Sequence, residues 1–101
     1  MKVVWTELAK SQLKEACQYY REVASAKVAV SIKSKVYKKT KKLSRFPEMG
    51  QRENNSLVVA MSYRYLVSGN YKIVYRVIQK EKTVLIAAVF DTRQDPDDLR
   101  V

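Results

Sequence analysis

The chain has 101 residues, 47% of them apolar, and a net charge of +10 from 20 basic and 10 acidic side chains. This length predicts one domain, residues 1–101, with a single core, and no apolar run approaches the roughly 18 residues needed to span a bilayer. The chain has no histidine and one cysteine, which excludes histidine-based acid–base catalysis, His-ligated or thiolate metal sites and an internal disulfide.

The positive charge is concentrated in the first half of the chain. Residues 1–52 carry a net charge of +9, whereas residues 53–101 carry +1. Such a field predicts an acidic partner (nucleic acid, an anionic membrane or an acidic protein), although a soluble domain that is merely basic has the same composition. The N-terminal residues lack the long apolar region of a signal peptide, so we expect a cytoplasmic protein.

A short strand and a helix open the chain. Lys2 to Trp5 is predicted to be a strand, and Thr6 is a plausible N-cap for a helix from about Glu7 to Val23. The spacing of its apolar residues places them on one helix face. They are Ala9, Leu13, Ala16, Tyr20 and Val23. Cys17 lies near this face, and we interpret it as a small core residue.

A second helix is predicted from about Ala26 to Arg45, capped by Ser25 and ended by Phe46-Pro47. The tight junction between the two helices favours an antiparallel hairpin. No acidic residue lies between positions 27 and 45, and the basic residues there predict either a solvated face or a footprint for nucleic acid or an acidic partner. A membrane role is disfavoured because the apolar side is needed for the core. The basic helix face comprises Lys35, Lys38, Lys39, Lys42 and Arg45.

The second half of the chain is predicted to be a β-meander. Residues 47–56 form a polar loop, and residues 57–60 are either a short strand or an approach to one. Strands are predicted at 63–67, 71–77 and 83–90, joined by a turn at 68–70 and a polar break at 79–82. The order β-α-α-β-β-β indicates an α+β fold in which the first strand pairs in parallel with the last.

Basic side chains on the sheet are the candidate working residues. Adjacent strands could bring them together, and Lys72 and Arg76 have the same parity in their strand. Arginines bind phosphate in a bidentate manner and stabilise transition-state charge. The set therefore suits plain binding, or RNA cleavage in which the ribose 2′-hydroxyl is the nucleophile; a solvated sheet face is the alternative. The candidates are Arg64, Lys72, Arg76 and Arg93.

The element order resembles the RelE/ParE toxin superfamily of bacterial toxin–antitoxin modules. Four segments carry the resemblance, and together they extend over nearly the whole chain. They are Trp5-Thr6 before a helix, Phe46 to Arg52 as a turn with Pro47 and Gly50, Arg64 with Gly69 and Tyr71 to Val77 as the third-strand signature, and Val84 to Pro96 with the ending Arg93-Gln94-Asp95-Pro96.

The resemblance implies a toxin, and its branch decides the activity. The Arg-x-Asp-Pro ending favours the ParE branch, a plasmid-stabilisation type of toxin associated with poisoning DNA gyrase. The RelE branch consists of ribosome-dependent mRNA endonucleases. In that case Arg64, Arg76 and Arg93 would contact the scissile phosphate, and Tyr75, Glu48 or Asp91 would move protons without a metal. A third reading is an inactive toxin fold that only binds.

The C-terminal residues bear on the choice between these branches. No tyrosine or histidine follows the last strand, and Phe90-Asp91 stands where ParE-like and some RNase members often have a histidine, an absence that weakens the case for RNA cleavage. The resemblance implies a partly disordered, acidic antitoxin as partner, DNA gyrase or alternatively the ribosome and its mRNA as target, and neither a cofactor nor a membrane.

Overall fold

The structure, a computed structural model, describes residues 1–53 and 62–99. Its elements in chain order are β1 (Lys2–Trp5), α1 (Glu7–Val23), α2 (Ala26–Lys41), β2 (Gln51–Arg52), β3 (Arg64–Ser68), β4 (Tyr71–Ile78) and β5 (Thr83–Asp91), with short 3₁₀ turns at Lys42–Ser44, Gln79–Glu81 and Pro96–Asp98. The sheet order is β1-β5-β4-β3-β2. β1 runs parallel to β5 and the other neighbours are antiparallel. The predicted α+β fold is confirmed.

Side-chain caps start both helices, as the sequence predicts. The Thr6 hydroxyl accepts a hydrogen bond from the Ala9 amide at 3.1 Å, and the Ser25 hydroxyl accepts one from the Val28 amide at 3.1 Å. Each bond satisfies an amide that the helix itself leaves without a partner. Among the helices of the described residues, none is both long and apolar enough to cross a membrane.

Two details differ from the sequence-based expectation. α2 ends at Lys41 rather than at about Arg45, because the chain tightens into a 3₁₀ turn in which the Arg45 and Phe46 amides both bond to the Lys42 carbonyl, at 3.1 and 2.9 Å. The expected polar loop contains β2, a two-residue edge strand paired with β3. Two residues are too few to show a period-two pattern. Residues 57–60 lie outside the described part of the chain.

β5 contains a β-bulge, and a separate core packs on each face of the sheet. Val74 of β4 pairs with Ala88, but its neighbour Tyr75 pairs with Ile86, so Ala87 is an extra residue. The inner core packs the helices on one sheet face, and the outer core lies on the other. Inner members include Ala9, Leu13, Ala29, Val36, Leu43, Ile73, Tyr75 and Ile86; the outer members are Tyr63, Val74, Ala87, Ala88, Phe90 and Leu99. β5 is therefore covered on both faces, as its apolar sequence indicates.

Candidate functional site

The first candidate, Arg64, holds the segment that leaves the helical hairpin. Arg64 is paired with Tyr75 across β3 and β4, so both side chains lie on the helix side of the sheet. Its Nη1 donates to the Gly50 carbonyl at 2.9 Å and to the Glu48 carbonyl at 3.3 Å. The Gly50 amide donates to the Tyr75 hydroxyl at 2.9 Å. We call Gly50, Arg64 and Tyr75 the Gly50 junction.

The Gly50 junction has no room for a side chain at residue 50. A Cβ there would lie 2.6 Å from the Tyr75 hydroxyl oxygen and 2.7 Å from the Tyr65 carbonyl oxygen. Glycine is thus required by close approach of backbone to backbone and not by a left-handed turn. The junction fixes the path of the chain between α2 and β2.

Tyr75 is fully buried in the inner core. Burial raises the pKa of its hydroxyl, and the Gly50 amide, which donates to the hydroxyl, opposes this shift. A proton-carrying role requires this side chain to face outward, and the structure places it inward. Glu48 lies close by and is exposed, so two of the three groups considered for proton transfer lie at the Gly50 junction.

Lys72 and Arg76 lie on the opposite face of β4, where their common parity predicts them. The Lys72 ammonium is 3.0 Å from the carboxylate of Glu53, a nearly buried side chain, and 4.3 Å from the centre of the Tyr65 ring. Arg76 is paired with Leu85 and is half-buried. Within the described residues its guanidinium makes no hydrogen bond or ion pair. At about 3.3 Å per residue, the two positions are roughly 13 Å apart.

Arg93 belongs to a separate cluster beyond the end of β5. Its Nε and Nη2 donate to the two Asp91 carboxylate oxygens at 3.0 and 2.8 Å, and Nη2 lies 3.4 Å from the Tyr20 hydroxyl. The hydrogen bond from Arg93 lowers the pKa of Asp91, and the same contact raises the pKa of Arg93. Burial, with Tyr20 close by, raises the pKa of Tyr71 to about 12. The cluster borders a cleft of about 390 Å³ between α1 and β5.

The four basic candidates therefore do not form one cluster. Arg64 is on the helix face, Lys72 and Arg76 are on the outer face, and Arg93 is past the end of β5. The basic side chains of adjacent strands do not come together as expected. The strand register places Arg64 opposite Tyr75, and Tyr75 and Arg76 point to opposite faces of β4. No arginine pair with a nearby proton carrier is assembled around a single phosphate position within the described residues.

The predicted basic helix face is exposed. Within the described residues, Lys39 is the member whose side chain makes a hydrogen bond, donating from Nζ to the Val67 carbonyl of β3. The ion pairs of the described residues join Lys10 to Glu7, Lys72 to Glu53 and Arg93 to Asp91. None of them neutralises a basic side chain of α2. Within the same residues, no group of three or more His, Cys, Asp or Glu side chains could hold a metal ion.

A groove of about 490 Å³ between α1 and α2 was not anticipated from the sequence. Leu13, Cys17 and Tyr37 contribute apolar surface to it, and Cys17 is buried, as expected of a core residue. Its charged lining is mostly basic, with one acidic side chain, Glu22, and four basic ones: Lys10, Lys14, Arg21 and Lys33. The signal was present in the sequence, because positions 10, 14 and 21 recur at the spacing of one helix face. The opposing helix could not be placed without the structure.

Comparison with known proteins identifies the family. The model of the family described as "ParE toxin of type II toxin-antitoxin system, parDE" matches residues 3–96. The chain belongs to the ParE toxin family. Among solved structures, this ParE-family chain is similar to one described as "Chromosomal ParDE TA system from P. aeruginosa". The TM-score is 0.75 at 17% sequence identity, over 90% of this chain and 95% of the other, a likeness of fold. Curated protein sequences give no significant match.

Proposed function

We propose that this ParE-family toxin arrests growth by inhibiting DNA gyrase. The observation that carries the proposal is the family match over residues 3–96. The geometry adds support, because the side chains that a nuclease of the RelE type would use are dispersed. Tyr75 is buried, Asp91 is held by Arg93, and Arg76 lies on the other sheet face. Binding a target surface requires no such convergence of side chains.

For the target-binding residues we propose Arg64, Arg76 and Arg93, with Lys72 secondary. Arg76 is the sharpest test, since its guanidinium has no partner within the described residues and its loss leaves the Gly50 junction intact. We expect Arg76→Ala to raise the inducer concentration needed for growth arrest at least tenfold. Arg76→Lys should restore part of the effect, because lysine keeps the positive charge. Lys80→Ala, an exposed substitution in the turn after β4, is the matched control.

The triple variant Arg64→Ala, Arg76→Ala, Arg93→Ala tests the assignment as a whole. It should abolish growth arrest while retaining the circular dichroism spectrum of a folded protein. Full toxicity of the folded triple variant would show that these arginines do not face the target. An unfolded triple variant is uninformative alone, so the Arg76 variants decide in that case.

We further propose that a cognate antitoxin neutralises the toxin, through an acidic, partly disordered segment that folds on binding. The α1–α2 groove supports this idea because it combines apolar surface with a basic rim, which complements acidic and apolar side chains. The charge-reversal variant Lys10→Glu, Lys14→Glu should still arrest growth. Co-expression of the antitoxin, encoded by a short acidic reading frame beside the toxin's own, should no longer restore growth. Lys2→Glu with Lys80→Glu is the control, because it changes the net charge by the same amount. If the antitoxin restores growth equally with both double variants, the groove is not the docking site.

A further inference from the structure

One face of α2 carries a row of lysines that is densest towards the C-terminal end of the helix. Val36 and Thr40 of α2 are buried against the core. At 100° per residue, the lysines on the opposite side fall within an arc of about 120°. We call them the α2 lysine face: Lys27, Lys35, Lys38 and Lys41 of α2, with Lys42 at the start of the 3₁₀ turn that follows, all exposed. The array is about 22 Å long at 1.5 Å per residue.

Nothing in α2 itself offsets this charge. The helix sequence AKVAVSIKSKVYKKTK contains no acidic residue, and none of the ion pairs of the described residues reaches these lysines. Lys38 has a like charge three residues away on either side, at Lys35 and Lys41, and another four residues away at Lys42. Such pairs repel and weaken the helix. A bound polyanion would relieve the repulsion, so the face is best matched to a regular array of negative charge.

The residue types on this face indicate which polyanion it fits. Between the lysines lie Ser31 and Ser34, and lysine and serine are depleted in protein–protein interfaces, which favour aromatic residues. They are, however, the side chains that commonly contact DNA phosphates. Val28 and Val30 of α2 are exposed, but at 100° per residue they lie on either side of the lysines and do not form the continuous apolar side that a membrane surface would need. Single strands are bound by aromatic stacking, whereas the aromatic side chain of α2, Tyr37, packs against Trp5 with 5.1 Å between the ring centroids.

We propose that the α2 lysine face binds the phosphate backbone of duplex DNA without reading its sequence. α2 has no Arg, Asn or Gln, whose planar side chains make bidentate contacts with base edges in the major groove. Its straight array extends along about 22 Å, which in B-DNA carries roughly 13 backbone charges. The surface is distinct from Arg64, Arg76 and Arg93, and the proposal holds whether or not gyrase is the target.

Fluorescence anisotropy with a labelled 20-base-pair duplex tests the proposal on the purified full chain. Five phosphate contacts predict a slope of log K against log salt of about −4.5. The variant Lys35→Gln, Lys38→Gln, Lys42→Gln should have a slope of about −2 and at least tenfold weaker binding at 100 mM salt. The control Lys2→Gln, Lys80→Gln, Lys82→Gln loses the same charge at exposed positions elsewhere and should keep both the slope and most of the affinity.

Four outcomes would overturn the proposal. The first is an equal loss of affinity in the control, which would indicate net charge alone. The second is no detectable binding of duplex at 50 mM salt. The third is displacement of the labelled duplex by polyglutamate, or by vesicles with anionic lipid, as effectively as by unlabelled duplex at the same concentration of negative charge. A scrambled duplex should compete as well as the original, and marked sequence preference would contradict backbone binding.

Discussion

Replacing Tyr75 by phenylalanine removes one oxygen atom from the Gly50 junction. The Tyr75 hydroxyl accepts the Gly50 amide at 2.9 Å, and both residues are buried. In the variant the amide has no acceptor at that position, and water cannot easily replace it because Tyr75 is fully buried. Leaving a buried donor without a partner costs about 1–3 kcal/mol. We therefore expect the free energy of unfolding to fall by about 2 kcal/mol.

For a chain of this size, that loss corresponds to a decrease in Tm of roughly 10 °C. Urea denaturation gives the free energy, and amide hydrogen exchange of Gly50 reports the bond itself. Tyr37→Phe is the matched control, since Tyr37 is 43% exposed and should lose less than about 0.5 kcal/mol. Gly50→Ala should cost more than Tyr75→Phe, because its Cβ would meet the Tyr65 carbonyl at 2.7 Å, which is backbone and cannot rotate away. Unchanged stability and unchanged Gly50 protection in Tyr75→Phe would refute the reasoning.

Three further substitutions test other contacts. Thr6→Ala should lower stability by about 1 kcal/mol by removing the α1 cap, and Thr6→Ser should restore most of it in thermal denaturation. Lys72→Met should destabilise by about 2 kcal/mol because the buried Glu53 carboxylate loses its hydrogen bonds from the Lys72 ammonium, and adding Glu53→Gln should recover part of the loss in a double-mutant cycle. Asp91→Asn should lower stability at pH 7. In denaturation series, its difference in stability from the wild type should shrink as the pH falls below about 4, because Arg93 lowers the pKa of Asp91 and the stabilisation is lost when that carboxyl is protonated. A difference that grows on acidification would contradict this.

Features encoded by local chemistry were predictable from the sequence. The Thr6 and Ser25 caps, the helical hairpin and the apolar β5 follow from hydroxyl side chains before periodic segments and from β-branched runs. The parallel pairing of β1 with β5 followed from the long helical excursion between them. These elements depend on neighbours in sequence, or on a connection rule, and so they are readable without the fold.

Features set by pairing between strands were not predictable. The bulge at Ala87 and the two-residue β2 depend on which residues meet across the sheet, and an alternating sequence does not encode this register. Because the register was unknown, the position of Arg64 could not be predicted; its cross-strand partner Tyr75 places it on the helix face of the sheet. The α1–α2 groove likewise requires the relative position of two helices. The candidate site was thus predictable as a set of side chains but not as an arrangement.

We propose that this ParE-family chain acts on DNA gyrase, and a paired assay tests that proposal most directly. Purified protein is added to gyrase with relaxed plasmid and, separately, to a translation extract with a defined mRNA. We predict loss of supercoiling or gyrase-dependent DNA breaks, reduced by Arg76→Ala, with the mRNA intact. New cuts in ribosome-bound mRNA with unaffected supercoiling would contradict the claim and favour a nuclease. No effect in either assay, together with normal growth on expression, would also contradict it and indicate a binding module.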